Sequence, residues 1–557
     1  MSKRLFSILD NHNIKHICLL IAFFCLSYLL TLGCRELTVP DETRYGEIPR
    51  EMINNSSWFN PRLNGVHYFE KPGLGYWIHA ASIMICGENN FAIRLPSALS
   101  AGFTALLLYL TAGPYGLLSA FIFLSCLGGF CIGNFALLDS LFSFFLTSAI
   151  ITFYLATEQQ AGNKYEKIFL ISAGLFCGAA FLTKGFLAFL IPVISLGAYL
   201  IWQKRYFDLL RMGLLPIAVS LLLILPWAFA THLKEPDFWR FFFWNEHVRR
   251  FISENAQHNR PFWFFLVVAP IMCLPWTFTI PTAIAGLRDK FPKLSDPDNI
   301  IKMSLCWLGM PFIFFSISKG KLPTYILPCL PPFAILMASG LTHSLSKRNN
   351  RLFNRGIEIS MIFAIILLFC FAYLHFHGYG KIHHVYDKSW KSLMFTNTII
   401  FFLLVCTWAR KTESRQNKII LFSLSPLLFF TTLNLLIPEQ TIISKSPGIL
   451  LRRNKDHIDK NIILISDEAT AGAACWYFKR DDIYILGAPG ELDYGLNREE
   501  AKNRLLSPEK ARKIIIEHKN EVILTARTRN LNKWENLLPE PVFTDTSGPS
   551  GYVLLKF

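Results

Sequence analysis

Charge is scarce in this sequence. Of 557 residues, 17% are Asp, Glu, Lys or Arg, against about a quarter in soluble domains. Hydrophobic residues make up 52% of the chain, and phenylalanine alone fills 50 positions. That balance excludes an ordinary water-soluble protein. Cysteine pairing is missing too: none of the 13 cysteines sits in a CxxC pair or at framework spacing. Cys18, Cys25, Cys126, Cys177, Cys370 and Cys406 lie inside apolar runs and read as small buried hydrophobes. Cys34, Cys86 and Cys475 are free to face an oxidising compartment, but no disulfide among them follows. There is no HExxH spacing, repeat or low-complexity segment. The formal charge of +16 forms no basic arm and no aromatic-interleaved face, which argues against a nucleic-acid partner.

Long apolar runs are what the sequence does have. Spans are predicted at about 15–33, 92–112, 115–134, 138–156, 168–183, 186–202, 212–231, 262–286, 302–317, 323–342, 356–376, 394–409 and 419–437, about thirteen helices in all. The pair flanking Lys184 reads equally as one bent hairpin. The opening MSKRLFSILDNHNIKH leads into an apolar run with no small-residue cleavage site, so it is read as an uncleaved first helix.

The charges then orient the chain. With the N-terminus inside, cytoplasmic segments carry Lys3/Arg4/Lys15, Lys164/Lys167, Lys204/Arg205/Arg211, Arg288/Lys290/Lys293, Lys347/Arg348/Arg351/Arg355 and Arg410/Lys411/Arg415/Lys418. Only the short turn at Gly113–Tyr115 lacks the excess that the positive-inside rule asks for. Loops 34–91 and 232–261 and the tail then fall on the other face. Two domains are expected: a membrane part over 1–439, and over 440–557 a small soluble α/β domain. Its β-like stretches are Asn461–Ser466, Asp482–Leu486, Glu521–Thr525 and Tyr552–Phe557, with a helical pattern over Ser507–His518.

Candidate chemistry gathers on that outer face. Asp41, Arg44 and Tyr45 stand in a dense ionisable run from Arg35 to Arg50. A carboxylate there can orient or deprotonate an acceptor and an arginine can bind phosphate; equally, the run can be an interfacial helix whose charges face water. Glu70 and Lys71 lie between aromatics and a Pro-Gly turn, suited to a metal and a phosphate or merely to a local pair. Asp139 interrupts an apolar run and Lys184 stands at a helix junction. Ionisable groups at such places are functional candidates, although Lys184 also has the reach to snorkel. The second loop carries His247, Arg249, Arg250, His258 and Arg260, which suit metal and phosphate without a tight ligand spacing. Lys319 and Lys321, beside Tyr325, run against the positive-inside trend and point to an anionic ligand.

PDETRYGEIPREM, YFEKPGLGYW, a lone Asp near the fourth span, LTKG, NEHVRRF with AQH..PFW, and SKGKLPTYILP follow in that order. This series resembles the bacterial lipid A 4-amino-4-deoxy-L-arabinose transferases, relatives of the polyprenol-phosphate-dependent protein mannosyltransferases with the GT-C membrane fold. The motifs cover about residues 15 to 340, and span count and the C-terminal domain extend the likeness.

The resemblance implies a multi-pass protein of the bacterial inner membrane, active on the periplasmic face. It would move aminoarabinose from undecaprenyl phosphate to a lipid A phosphate, act as a monomer, and confer resistance to polymyxin and other cationic peptides. It implies Asp41 as the principal catalytic carboxylate, with Asp139 secondary. Lys71, Arg249 or Arg250 and Arg260 would hold the departing lipid phosphate, with Arg44, Tyr45, Lys184, Lys319, Lys321 and Tyr325 as further site residues. Glu70 with His258, in preference to His247, would bind a divalent ion such as zinc. A related transferase with another sugar or acceptor and, from a different class, a lipid flippase are the competing readings.

Overall fold

The computed structural model describes residues 11–236, 238–239, 259–290, 299–346, 350–378, 384–548 and 550–557. Two compact units result: Met1–Leu32, Ser97–Phe229 and Trp239–Leu436 make one, and Gly33–Pro96, Ala230–Phe238 and Ile437–Phe557 the other.

The first unit is helical. Among the described residues nine helices are long and apolar enough to cross a membrane, or eleven if two sharply bent pairs each count as one span. All thirteen predicted segments are helical, but two are short: Ile14–Leu29 and Leu187–Trp202. The latter, 16 residues long, reaches about 24 Å at 1.5 Å per residue, less than the roughly 30 Å of a bilayer's hydrocarbon core.

The bent pairs are Gly113–Ser125 with Leu127–Gly133, at 66°, and Phe264–Met272 with Trp276–Lys290, at 98°. Each break frees backbone groups that lipid cannot satisfy, and the two breaks satisfy one another. The Leu127 N–H donates to the Leu274 carbonyl at 2.9 Å, and the Trp276 indole donates to the Ser125 hydroxyl at 2.9 Å. The Tyr28 hydroxyl donates to the Leu124 carbonyl, also at 2.9 Å. Elsewhere small residues allow close helix approach. A Cβ added to Gly340 would lie 2.3 Å from the Ala283 carbonyl oxygen.

The second unit joins the first loop to the tail. Helix Asp41–Asn55 is followed by a hairpin of β1 (Arg62–Leu63) and β2 (Val66–His67). Asn64 and Gly65 form its two-residue turn at φ 59° and 69°, as the right-handed twist of a hairpin favours. The tail supplies β3 (Ile463–Ser466), β4 (Tyr484–Leu486), β5 (Leu505–Leu506), β6 (Val522–Arg527), β7 (Phe543–Thr546) and β8 (Tyr552–Lys556). They form one sheet in the order β5-β4-β3-β6-β8-β7. The first four run parallel, and β8 and β7 pair antiparallel. Ile465, Leu524, Val553 and Leu555 form its core with Ala511 and Ile515 of helix Pro508–Glu517.

Polar stitches tie hairpin to sheet. Glu51 accepts from the Asn64 and Gly65 N–H groups at 2.6 and 2.9 Å. The Asn64 amide brackets the Ile483 backbone, donating to its carbonyl and accepting from its N–H. Arg504 donates to the Asn64 carbonyl at 2.8 Å. At Gly46 helix Asp41–Asn55 meets Ile93 and Trp476 so closely that an added Cβ would lie 2.8 Å from the Ile93 side chain.

Candidate functional site

In the second unit the site begins with how helix Asp41–Asn55 is held. Arg35 donates to the Glu42 carboxylate at 2.5 and 2.9 Å, and Arg94 at 2.7 and 3.0 Å. The Thr38 N–H and hydroxyl add two more bonds at 2.9 Å. Burial alone would raise the Glu42 pKa, but the two guanidiniums outweigh it and hold the carboxyl far below the usual range. The first turn is thereby anchored inward at Glu42, while its neighbour Asp41 keeps a side chain 49% exposed.

Asp41 pairs with the Arg44 guanidinium one turn along the helix. Arg44 is buried and uses its other edge on Tyr68 of the same loop, donating to its hydroxyl at 2.9 Å, and on Glu491 of the tail, with which it pairs. The Tyr68 hydroxyl donates to the same Glu491 carboxylate at 3.2 Å. The guanidinium also lies over the Tyr45 ring, 5.1 Å from its centre. Burial pushes Glu491 upward, but Arg44 beside it prevails and keeps the carboxylate below its ordinary pKa. Glu70 approaches Arg44 to 4.0 Å. The Lys71 ammonium donates to the Glu70 carbonyl at 3.0 Å and adds its field at Glu491.

A helix with its charges in water is therefore not what forms. Glu42, Arg44, Glu47, Arg50 and Glu51 are all buried, each against a partner of the same unit. Glu491 has no counterpart among the sequence-predicted residues. It lies in Gly490–Leu492, 447 positions from Arg44, and no local motif marks it.

The membrane unit carries the second set. Asp139 stands in the first turn of helix Leu138–Thr157 and Lys184 in the last turn of Lys164–Lys184. The ammonium donates to the carboxylate at 2.6 Å. It also lies 5.2 Å from the centre of the Tyr325 ring, so these three predicted residues come together. Lys321 is buried, with its ammonium on the carbonyls of Ser318 and of Arg260, the latter at 3.0 Å. The Arg260 N–H donates to the Lys319 carbonyl at 3.2 Å, and Asn259 bridges Gly320. Lys321 thus clamps the 318–321 turn to the 259–260 segment, a use for its charge that differs from direct phosphate binding. Burial lowers its pKa.

His247, Arg249, Arg250 and His258 lie outside the described residues. Among the described residues no three Asp, Glu, His or Cys side chains converge as a metal site, and Glu70 has the cation Arg44 as a close neighbour. The described side chains do not by themselves make a divalent-metal centre.

The family model for dolichyl-phosphate-mannose-protein mannosyltransferase matches residues 13–242, and that for the C-terminal domain of the arabinosyl transferase ArnT matches 442–555. The chain is 35% identical over 527 residues to an undecaprenyl phosphate-alpha-4-amino-4-deoxy-L-arabinose arabinosyl transferase of Shewanella sediminis, covering 93% of this chain and 94% of that protein. It is 37% identical over 499 residues to the protein of that name from Yersinia enterocolitica, covering 88% of each. The crystal structure of ArnT from Cupriavidus metallidurans bound to undecaprenyl phosphate superposes with a TM-score of 0.80 over 97% of both chains at 22% identity, which shows the shared GT-C fold. With identity above a third along nearly its whole length, this chain belongs to the undecaprenyl phosphate-alpha-4-amino-4-deoxy-L-arabinose arabinosyl transferases, a family of membrane glycosyltransferases.

Proposed function

We propose that the chain transfers 4-amino-4-deoxy-L-arabinose from undecaprenyl phosphate to a phosphate of lipid A, at the periplasmic face of the bacterial inner membrane. Curated relatives named for this donor support the reading. The observation that carries it is the half-exposed Asp41 carboxylate bonded to a buried arginine. In this reading the membrane part has thirteen spans with the N-terminus inside. Loops 34–91 and 232–261 and the tail then lie on the periplasmic side.

The acceptor is a phosphate monoester, already largely ionised near neutral pH, so a strong base is less necessary than for a sugar hydroxyl. Asp41 orients that phosphate or takes its last proton. An acceptor oxygen forms the new bond to the anomeric carbon as the bond to undecaprenyl phosphate breaks, with inversion. The leaving phosphate keeps the electron pair. Lys71 would neutralise it together with Arg249 or Arg250 and Arg260, and stabilising that charge supplies the larger part of the rate. Asp139 is a secondary catalytic candidate in this reading, and Lys184, Lys319 and Tyr325 are further substrate-binding candidates. A divalent ion such as zinc at Glu70 would need His258, or else His247, as a further ligand. No step here depends on it.

Adding an amine-bearing sugar reduces the negative charge of the outer surface, so cationic peptides such as polymyxin bind it less strongly. The test is lipid A mass spectrometry in a transferase-deficient strain that still makes the lipid-linked sugar. Complementation with the wild-type gene is expected to give an aminoarabinose adduct, and Asp41→Asn to abolish it. An unchanged adduct with Asp41→Asn would refute the role given to Asp41, and no adduct from well-inserted wild type would point to another sugar or acceptor.

A further inference from the structure

We propose that Glu491, contributed by the tail, is a positioning residue of this transfer reaction that acts through Arg44 on Asp41. The inference rests on the reaction assigned above and concerns a residue that no sequence motif marks.

Three groups close a triangle on one edge of the Arg44 guanidinium. Arg44 pairs with Glu491 and donates to the Tyr68 hydroxyl at 2.9 Å, and that hydroxyl donates to Glu491 at 3.2 Å. A guanidinium is a rigid planar fork, so fixing one edge fixes the other. On the other edge sits Asp41. The position of the exposed Asp41 carboxylate is therefore set by a part-buried contact on the far side of the arginine.

Glu491 is itself held in place. Gly490 has φ 56°, and a Cβ there would lie 2.4 Å from the Glu468 carboxyl carbon. Only glycine allows this approach. The Glu491 N–H meets the Glu468 carboxylate at 3.4 Å, and Glu468 begins helix Glu468–Phe478, capped by Asp467.

Charge balance gives the arrangement its chemical sense. With Asp41 as its sole close partner, Arg44 would neutralise the carboxylate that the reaction needs. With Glu491 and Tyr68 already engaged, the arginine orients Asp41 while part of its charge is balanced elsewhere. A purely structural ion pair would affect stability. A positioning pair affects turnover.

The experiment uses the purified full-length chain in detergent, with lipid-linked aminoarabinose as donor and lipid A as acceptor. Glu491→Gln keeps the shape and removes the charge. It is expected to lower kcat about tenfold, a loss on the scale of misplaced catalytic groups, with the KM for donor and the unfolding temperature essentially unchanged. Glu491→Asp should recover part of the rate. Tyr68→Phe, the second route to the same contact, should lower kcat by a smaller factor. Glu491→Gln added to Arg44→Lys should cost no more than Arg44→Lys alone. A wild-type kcat in Glu491→Gln, a loss confined to KM, or a loss that multiplies with that of Arg44→Lys would overturn the proposal. An inactive wild type would overturn the reaction reading and this inference with it, whereas an active wild type with an unimpaired Glu491→Gln overturns this inference alone.

Discussion

Lys184 and Asp139, 45 positions apart in sequence, meet at 2.6 Å across two helix ends of the membrane unit. The carboxylate lies in the first turn of its helix and the ammonium in the last turn of its own, so each also faces the favourable end of a helix dipole. Both side chains are more than four-fifths buried. Removing either partner leaves the other charge uncompensated near lipid. Lys184→Met and Asp139→Asn are each expected to destabilise the detergent-solubilised protein by roughly 1–3 kcal/mol. The double variant should recover much of that loss. Additive losses in thermal unfolding would show that the pair is not coupled.

Arginine at position 44 cannot be exchanged for lysine without consequence. Its fork serves Asp41 on one edge and Tyr68 and Glu491 on the other. A lysine ammonium lacks the planar geometry that links those edges. Arg44→Lys should lower the rate of adduct formation by about a hundredfold while the protein still inserts and folds. Near wild-type turnover in the same assay would separate Arg44 from the chemistry.

The Glu42 cluster predicts a pH dependence. Its carboxyl titrates well below the usual range in the folded protein because Arg35 and Arg94 overcome the penalty of burial. A depressed folded pKa contributes stability that is fully present above the unfolded value of about 4.3. That contribution is lost as pH falls through the folded value. Thermal stability should therefore decline as pH drops below about 4.3. Glu42→Gln should lower stability at pH 7 by roughly 3–5 kcal/mol, the cost of leaving buried charges without a partner. It should also flatten the acid limb. An equally steep acid limb in the variant would assign it to other carboxylates.

Two glycines of the membrane unit provide a packing test. A Cβ at Gly340 would stand 2.3 Å from the Ala283 carbonyl oxygen, a backbone atom that cannot rotate away, whereas Gly213 has nothing within 4 Å. Gly340→Ala should cost roughly 1–3 kcal/mol or more by separating the two helices. Gly213→Ala should be neutral or slightly stabilising, since alanine is the better helix former. Equal membrane yields and unfolding temperatures for both variants would contradict the close approach at Gly340.

Much of the architecture was legible because hydropathy and β alternation are properties of short windows. Each predicted apolar segment is helical, and the four β-like stretches of the tail coincide with β3, β4, β6 and β8. The two-residue β5 and the more exposed β7 (Phe543–Thr546) escaped, being too short or too polar to register. The sharp bends at Cys126 and Cys273–Pro275 escaped as well. They depend on two breaks satisfying one another through Leu127 and Leu274, which no single segment announces.

The site divides in the same way. Asp41 and Arg44 stood out in the sequence for their dense ionisable run, Glu70 and Lys71 for their place between aromatics and a Pro-Gly turn, and Asp139 and Lys184 because ionisable groups inside or at the edge of an apolar run are costly. Their partners did not. Glu491 on Arg44, Arg94 on Glu42, and the carbonyls that take up the Lys321 ammonium are set by folding, which joins positions far apart in the chain and leaves no local signature. The sequence by itself determined the membrane class, the placement of the apolar segments and the motif series, since each is written in neighbouring residues. Only the tertiary structure decided that the charges of the first loop lie buried in pairs, and which edge of Arg44 is left to hold Asp41.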